Sequence, residues 1–511
     1  MTDPENSQSS AGSWDVLVVG KGNAALCAAL AAADEGASVA MLEAAPEDES
    51  GGNSRFAGGV MRFAYDGVAD IEKLCDLTED EVADIDWESN TTDEFYDDLF
   101  RVTNFRTDPT LSEILVTRSL DAMVWLRAQG AHFVPNYRHQ SATVGGKRRF
   151  FGRMPLWMVG GGPGLVQDLT KTALKKGVEI YYQTRAISLV YDGDSVSGVL
   201  AKGPDGSRTY SARSVVLACG GFEANPEWRT RYLGPGWELA KVRGTRFNVG
   251  DGLRMALDIG ACASGNWSGR HAVSWERYAP EFGDLSLPES SYRHSFPLSL
   301  MINSEGKRFV DEGIEFYNFT YAKYGAEVLN QPGQFAFQIF DARVKDLLRP
   351  EYGDKNVTRV VANTLEDLAA KLEGVNTEAF LKTVREYNDA VQTEIPFDHS
   401  IKDGRHTKGV EPAKSNWANP IDTPPFEAYA VTCGITFTFG GLRIEPETGQ
   451  VLDVNFHQIP GLYTAGEMVG SLFYFNYPAG TGLVSGTVFG RIAGSAAGAA
   501  ALAAQVEQTN A

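Results

Sequence analysis

Apolar residues run unbroken through "VLVV" at 16–19, stop at the turn "GKGN", and resume in the alanine-rich "AALCAALAAAD" and in a second apolar run, "VAML", that ends at Glu43. The pattern predicts a buried strand, a helix stopped at Gly36 and a second buried strand, a βαβ unit. Between Glu179 and Gly221 the segments "VEIYYQTRAISLVYD", "SVSGVLAK" and "RTYSARSVVLACGG" alternate, predicting a small β-meander that returns to a buried parallel strand ending at Gly220 and Gly221. From about 273 to 435 charge rises, and "LEDLAAKLEG" and "NTEAFLKTVREYNDAVQ" predict helices between proline-containing connections, the texture of an inserted second domain. Buried-strand texture then returns in "EAYAVTCGITFTFGGLRI" and "PGLYTAGEMVG", followed by "YFNYPAGTGLVSGTVFG" and an alanine-glycine helix.

Chemistry enters at the glycines. Gly20 and Gly22 allow a tight turn and close approach of a pyrophosphate, which then sits on the positive end of the helix; Ala25 stands at the third glycine's place. Glu43, at the end of the second strand, is placed to accept hydrogen bonds from ribose hydroxyls and disfavours a 2′-phosphate. The glycine-rich "MVGGGPGLVQDL", 158–169, imitates this fingerprint, but no buried strand leads into it and no acid-terminated strand follows, so it predicts a loop before a helix. One nucleotide site is expected, with no separate nicotinamide site. In "ESGGNSRFAGGVMRF" the paired glycines with Asn53 and Ser54 suit a loop wrapped on a bulky ligand, with Arg55 or Arg62 supplying charge; a plain surface loop is the competing reading.

Length and charge narrow the class. At 511 residues the chain is long enough for two domains. A formal charge of -20 argues against nucleic acid or an anionic membrane as partner. The acidic run from Glu79 to Asp98 reads as a solvated surface segment. Five scattered cysteines form neither a disulfide framework nor a metal or haem motif, so no metal site is expected and a reducing compartment is. The start lacks a basic signal region, and the apolar runs look too short and alanine-rich to span a bilayer; the expectation is a cytoplasmic protein with disordered residues 1–12.

"VVGKGNAAL" with Glu43, "GGNSRFAGG", "LACGGF", "NVGDGL", "NSEGKRFVDE", "FTFGGL", "GLYTAGE" and "NYPAGTGL" stand in the order seen in flavoproteins of the fumarate reductase and succinate dehydrogenase type, which the chain resembles over nearly its whole length. It looks most like the tricarballylate dehydrogenase branch, through "GGNSRFAGGVMRFAYDG", "TYAKYG", "QPGQFAFQIFD" and "ITFTFGG". The resemblance implies an α/β fold, a Rossmann-like FAD-binding domain of glutathione reductase type at 13–272 and 436–505, with an α+β capping domain at 273–435 and a tail at 506–511. It implies FAD held by Gly20, Gly22, Asn23, Ala24, Ala25, Glu43, Gly52, Asn53, Ser54, Ala57, Gly58, Gly59, Ala186, Ala218, Gly220, Asp251, Gly466, Glu467, Gly482, Leu483 and Val484. Glu467 is expected on the ribityl chain, and the helix opening after Gly482 points its N-terminus at the flavin. Covalent relatives carry a histidine in the loop matching "ESGGNSRF"; none stands here, so the FAD is expected to be non-covalent.

The active-site pattern departs from that of fumarate reductases. Counting from "GKRFVDE" puts the proton-delivering arginine position near Phe316 and Tyr317, and counting along "NYPAGTG" puts a carboxylate-binding arginine position on Tyr477. His271 matches a substrate-contacting histidine. Arg153, Arg270, Arg293 and His294 are further candidates for an anion site, none placed by a motif. Tyrosines near these positions resemble those of 3-ketosteroid dehydrogenases, implying a ketone or enone substrate with Tyr477 or His271 on a carbonyl and Tyr317 moving a proton. Phe437, Phe439, Phe473, Tyr474 and Phe475 are expected to line an apolar pocket over the flavin. Two alternatives stay open: a polycarboxylate dehydrogenase or fumarate reductase-like enzyme, and a flavin-binding subunit without catalysis. The external electron partner is a quinone, a flavoprotein, an iron-sulfur protein or oxygen.

Overall fold

The computed structural model describes residues 10–137, 141–286 and 291–510. Strand β1 (Ser10–Val19) leads into helix α1 (Asn23–Asp34), and β2 (Val39–Leu42) follows. Residues 1–9 lie outside the described residues, while Ser10, Ala11 and Gly12, expected to be disordered, belong to β1. Helix α2 (Gly161–Lys175) precedes β3 (Glu179–Tyr181), and the meander is β4 (Arg185–Tyr191), β5 (Val196–Gly203) and β6 (Gly206–Leu217). Strand β1 pairs in parallel with both β2 and β6, and β2 with β3, which gives the buried parallel sheet its centre.

Gly20 has φ +108°, and a Cβ there would lie 2.4 Å from the Ala218 carbonyl oxygen, so only glycine lets the turn after β1 pass the end of β6. The glycines before α2 have a different cause: a Cβ on Gly162 would meet the Ser54 carbonyl oxygen at 2.0 Å. They seat α2 against the Gly52–Phe56 turn.

The central segment builds a second sheet around two long strands, β7 (Ala263–Glu276) and β11 (Phe426–Leu442), with β8 (Leu300–Asn303), helix α3 (Tyr321–Leu329), β9 (Ala336–Phe340) and β10 (Arg359–Ala362) between them. Helices α4 (Leu365–Lys371) and α5 (Thr377–Ala390) form where sequence periodicity puts them, each capped by a side chain, Thr364 and Asn376, that accepts a backbone N–H. Their apolar faces join a core that includes Ile302, Phe337 and Phe380. In the β7·β11 ladder Ala272 pairs with Ile435 and Val273 with Gly434, so the two ends of the 273–435 segment lie at adjacent rungs.

Strand β12 (Gln458–Thr464) returns to the first sheet beside β6, and α6 (Thr481–Asn510) closes the fold. The residues from 506 to 510 are therefore helical rather than a loose tail. Thr481–Val506 is long and apolar enough to cross a membrane by length and composition, which corrects the expectation from sequence. Half of that stretch is buried, and its glycines serve packing against α1: a Cβ on Gly490 or Gly494 would strike the Ala24 or Ala28 carbonyl oxygen at 2.6 and 2.1 Å. Two small-residue helices thus cross at close range.

Candidate active site

Two connected cavities lie where the sheets meet. The outer one is lined by Gly20, Lys21, Gly22, Glu43, Gly52, Ala186, Ala218, Gly220 and Asp251; the inner one by Ala57, Gly58, Gly59, Gly466, Gly482 and Leu483, with Asn23, Ala24, Asn53, Ser54 and Glu467 lining both. Ala25 and Val484 reach neither; both are fully buried inside their helices. Asn23 joins the two helix starts, donating to the Leu483 carbonyl at 2.8 Å and to Thr487 at 3.1 Å, while its N–H meets Ser54 Oγ at 2.8 Å. Glu43 accepts the Ala45 N–H at 2.8 Å; burial raises its carboxyl above the ordinary value, opposed by that bond and by Lys21. Asp251 is held by Arg185 at 2.7 and 3.0 Å. Thr184, Thr245 and Phe247 also line the outer cavity and carry no sequence signal of their own, whereas Asn248, which lines it too, opens the "NVGDGL" motif.

The inner cavity is built by a β-bulge. Opposite β7 the register slips between His271 and Ala272, leaving Thr436 unpaired between Ile435 and Phe437. The slip turns His271 and Thr436 inward, and His271 Nδ1 and Thr436 Oγ1 are buried without a hydrogen-bond partner, aimed where a ligand would supply one. His271 stacks on Phe437 at 5.2 Å and meets the edges of Tyr321 and Tyr477 at 4.9 and 5.0 Å. Burial, then the charge of Arg243, pushes its imidazole well below the usual value, so it is neutral near pH 7. The Tyr477 hydroxyl accepts the Gly482 N–H at 3.2 Å, at the start of α6. Burial raises the Tyr477 phenol, with the Gly482 and Tyr321 hydrogen bonds opposing, and burial raises Tyr321 further still.

Several residues fall elsewhere than the sequence suggested. Tyr317 lines the cavity, but its hydroxyl accepts from Arg349 Nη1 at 3.0 Å, and Tyr321 takes the place beside Tyr477. Tyr474 and Phe475 are outside the cavity, Phe475 being 49% exposed; Phe437, Phe439 and Phe473 are in it. Arg62 supplies no charge to the ligand loop: it is buried against Asp98 at 2.9 Å. Arg55 donates to the Asp48 and Ser50 carbonyls. Arg153 pairs with Glu94, Arg293 with Glu276, and Arg270 lies over Trp237, whereas His294 does line the cavity. Two cations missed in the sequence, Arg243 and Arg349, line it too, 5.5 and 5.9 Å from the centre of the Tyr292 ring. Arg349 pairs with Glu351 at 2.8 Å.

A glycine cradle, an acid at the strand end and inward-facing orphan groups fit a flavin dinucleotide spanning both cavities. A family model described as "FAD binding domain" matches residues 15–483. A fumarate reductase (cytochrome) of Shewanella frigidimarina is 30% identical over 473 residues, 92% of this chain and 74% of that one. A 4-oxocyclohexanecarboxylate 2-dehydrogenase of Sinomonas cyclohexanicum is 27% identical, with 91% and 89% covered, and a 3-oxosteroid 1-dehydrogenase of Mycobacterium tuberculosis 26%, with 92% and 95% covered. Among solved structures, an open conformation of a flavocytochrome c3 fumarate reductase shares 28% identity and a TM-score of 0.72, covering 96% of this chain and 79% of that one. A 3-ketosteroid Δ1-dehydrogenase from Sterolibacterium denitrificans shares the fold, with a TM-score of 0.71 at 22% identity and 95% and 99% covered. The chain therefore belongs to the FAD-binding family that includes fumarate reductases and 3-oxosteroid dehydrogenases, and is an FAD-dependent oxidoreductase acting on CH–CH bonds.

Proposed function

We propose that this protein carries out α,β-dehydrogenation, or the reverse ene reduction, of a ketone or enone. The observation that carries the reading is the convergence of Tyr477, Tyr321 and His271 on one cavity wall, with the Tyr477 hydroxyl on the Gly482 N–H. Bound FAD supplies the hydride acceptor or donor. Because Tyr477 accepts from Gly482, its own proton is directed into the cavity, toward a carbonyl oxygen. That hydrogen bond polarises the carbonyl, and Tyr321, beside it, gives its phenol proton to the α-carbon in ene reduction; in the dehydrogenation direction it takes the α-proton as the phenolate, after releasing its own proton to solvent, help typically worth about 10² to 10⁴ in rate. Burial keeps both phenols protonated at neutral pH, so they start as donors. Neutral His271 braces the two rings and offers a second hydrogen bond. Phe437, Phe439 and Phe473 exclude water from the reacting carbons.

Arg243 and Arg349 support a second reading, a polycarboxylate substrate of the tricarballylate or fumarate kind. They also suit a substrate with both functions, as the name of the Sinomonas relative describes for that enzyme. Anaerobic titration of the FAD spectrum against cyclic ketones, oxo acids, enones and polycarboxylates separates these. Bleaching by cyclic ketones is expected; bleaching by tricarballylate and by no ketone would establish the second reading. A flavin that no saturated substrate reduces, and whose dithionite-reduced form no enone or fumarate reoxidises, would leave a flavin-binding subunit. We hold the FAD to be non-covalent, supported by the Gly52, Asn53, Ser54 and Arg55 turn, which contains no histidine; acid precipitation is expected to release it. A cytoplasmic setting is supported by five free cysteines.

A further inference from the structure

Where the two cavities meet, the floor holds two carboxyl groups. Glu467, on the short helix Gly466–Met468, lines both cavities, and its Oε1 accepts the Thr438 N–H at 2.7 Å and hydroxyl at 3.1 Å. Glu223 lies behind it, wholly buried, with Oε1 accepting two amide donors, Asn53 Nδ2 and Asn248 Nδ2, both at 2.6 Å. Its other oxygen, Oε2, is buried without a donor. A Cβ on Gly221, two residues before Glu223, would lie 2.1 Å from Glu467 Oε1, so the two acids belong to one buried cluster in which each acts on the other's titration, and two carboxylates could not hydrogen-bond there.

The cations of the packed segments are held by partners other than the two carboxyl groups, and Arg229 also interacts with Glu223 through its charge. Arg229 donates to the Glu223 and Glu238 backbone carbonyls at 2.6 and 3.0 Å. Arg246 pairs with Glu49, Arg55 with the Asp48 and Ser50 carbonyls, and Arg243 lies over Tyr292. The strand that supplies Thr436 and Thr438 adds no charge at this point.

We propose that Glu223 and Glu467 share one proton, with Glu223 as the donor that fixes the Glu467 carboxylate and the Asn53 side chain against the FAD. Asn53 is the knot this proton secures: besides Glu223, it donates to the Thr436 carbonyl at 2.5 Å, and its Oδ1 accepts the Thr245 N–H at 2.8 Å. The glycine-rich turn, the bulge of β11 and the segment after residue 243 are thus tied to one neutral acid. Burial, then the charge and hydrogen bond of Glu467, raises Glu223 well above the usual carboxylate range. Burial raises Glu467 as well, with the hydrogen bonds from Glu223 and Thr438 opposing. Losing the shared proton leaves a second negative charge beside the cofactor and removes the bond between the acids. FAD affinity therefore falls as pH rises through the pair's titration.

The test reads FAD dissociation from the full-length apoprotein by flavin fluorescence between pH 6 and pH 9. Wild type is expected to bind more weakly toward alkaline pH, up to about tenfold per pH unit. Glu223→Gln, whose amide donates to Glu467 and accepts from the asparagines, is expected to match wild type at pH 6 and stay flat; Glu223→Ala is expected to bind at least tenfold more weakly throughout. Infrared difference spectra of wild type against Glu223→Gln should show a protonated-carboxyl band at neutral pH. An unchanged pH slope in Glu223→Gln would overturn the proposal. So would absence of that band from the wild-type spectrum, which needs no variant to fold when read against wild type at alkaline pH.

Discussion

The two halves of the cavity are made differently. The outer half is largely backbone: glycines and alanines at strand ends, shaped by what a Cβ would strike, with Lys21, Glu43, Arg185, Asp251 and Glu467 as its charged groups. The inner half is side chains: His271 from β7, Tyr321 from α3, Arg349 from the inserted segment and Tyr477 from the loop before α6. The first half constrains what the chain cannot carry, and the second depends on which large groups happen to converge. A fold can therefore keep its cofactor while its substrate changes.

The sharpest break of the first half is at Gly20. Gly20→Val puts a branched side chain at φ +108° and 2.4 Å from the Ala218 oxygen. The purified chain is expected without flavin and less stable by at least about 2 kcal/mol, read from flavin absorbance and thermal unfolding. Retained FAD would show that the turn is not the cradle. In the second half, Tyr477→Phe and Tyr321→Phe are expected to slow flavin reduction by about 10² to 10⁴ with FAD still bound, in stopped-flow measurements. Tyr317→Phe loses only a hydrogen bond to Arg349, so about a tenfold change at most is expected, and in KM more than in kcat. The reverse ranking would return the proton-transfer role to Tyr317.

That contrast also marks what the sequence could show. Glycine spacing, the acid after β2 and the ordered motifs all lie within a few residues of the groups they position, so the cofactor half was legible. Counting from "GKRFVDE" led to residues 316 and 317, yet Tyr317–Phe319 forms a 3₁₀ turn and α3 begins at Tyr321. Those extra residues of turn bring the later tyrosine over His271. Arg349 and Tyr292 belong to no motif, and long-range sheet pairing brings their segments to the cavity. The apolar length of α6 was underestimated because its alanines and glycines dilute hydropathy while serving a close helix crossing.

Smaller effects refine the comparison. His271 is held well below its usual value in the folded chain, so below about pH 6.5 the unfolded chain binds a proton the folded one refuses. Stability should fall on acidification through that range by up to about 1.4 kcal/mol per pH unit, and His271→Phe should flatten this part of the unfolding curve. A wild-type midpoint insensitive to pH between 7 and 5 would argue against a neutral buried imidazole. The smallest change belongs outside both halves: Phe475→Ser, at an exposed position, is expected to alter stability by no more than about 0.5 kcal/mol and flavin reduction not at all.

The Asn23 side chain bonds across 460 positions to Leu483, and the glycines of α6 rest on the backbone of α1. During synthesis the dinucleotide turn emerges early but its opposing helix arrives only after the whole inserted segment. A nascent chain must carry an open, alanine-rich helix until those 460 positions are made, and cofactor capture then registers completion of everything between the two helices.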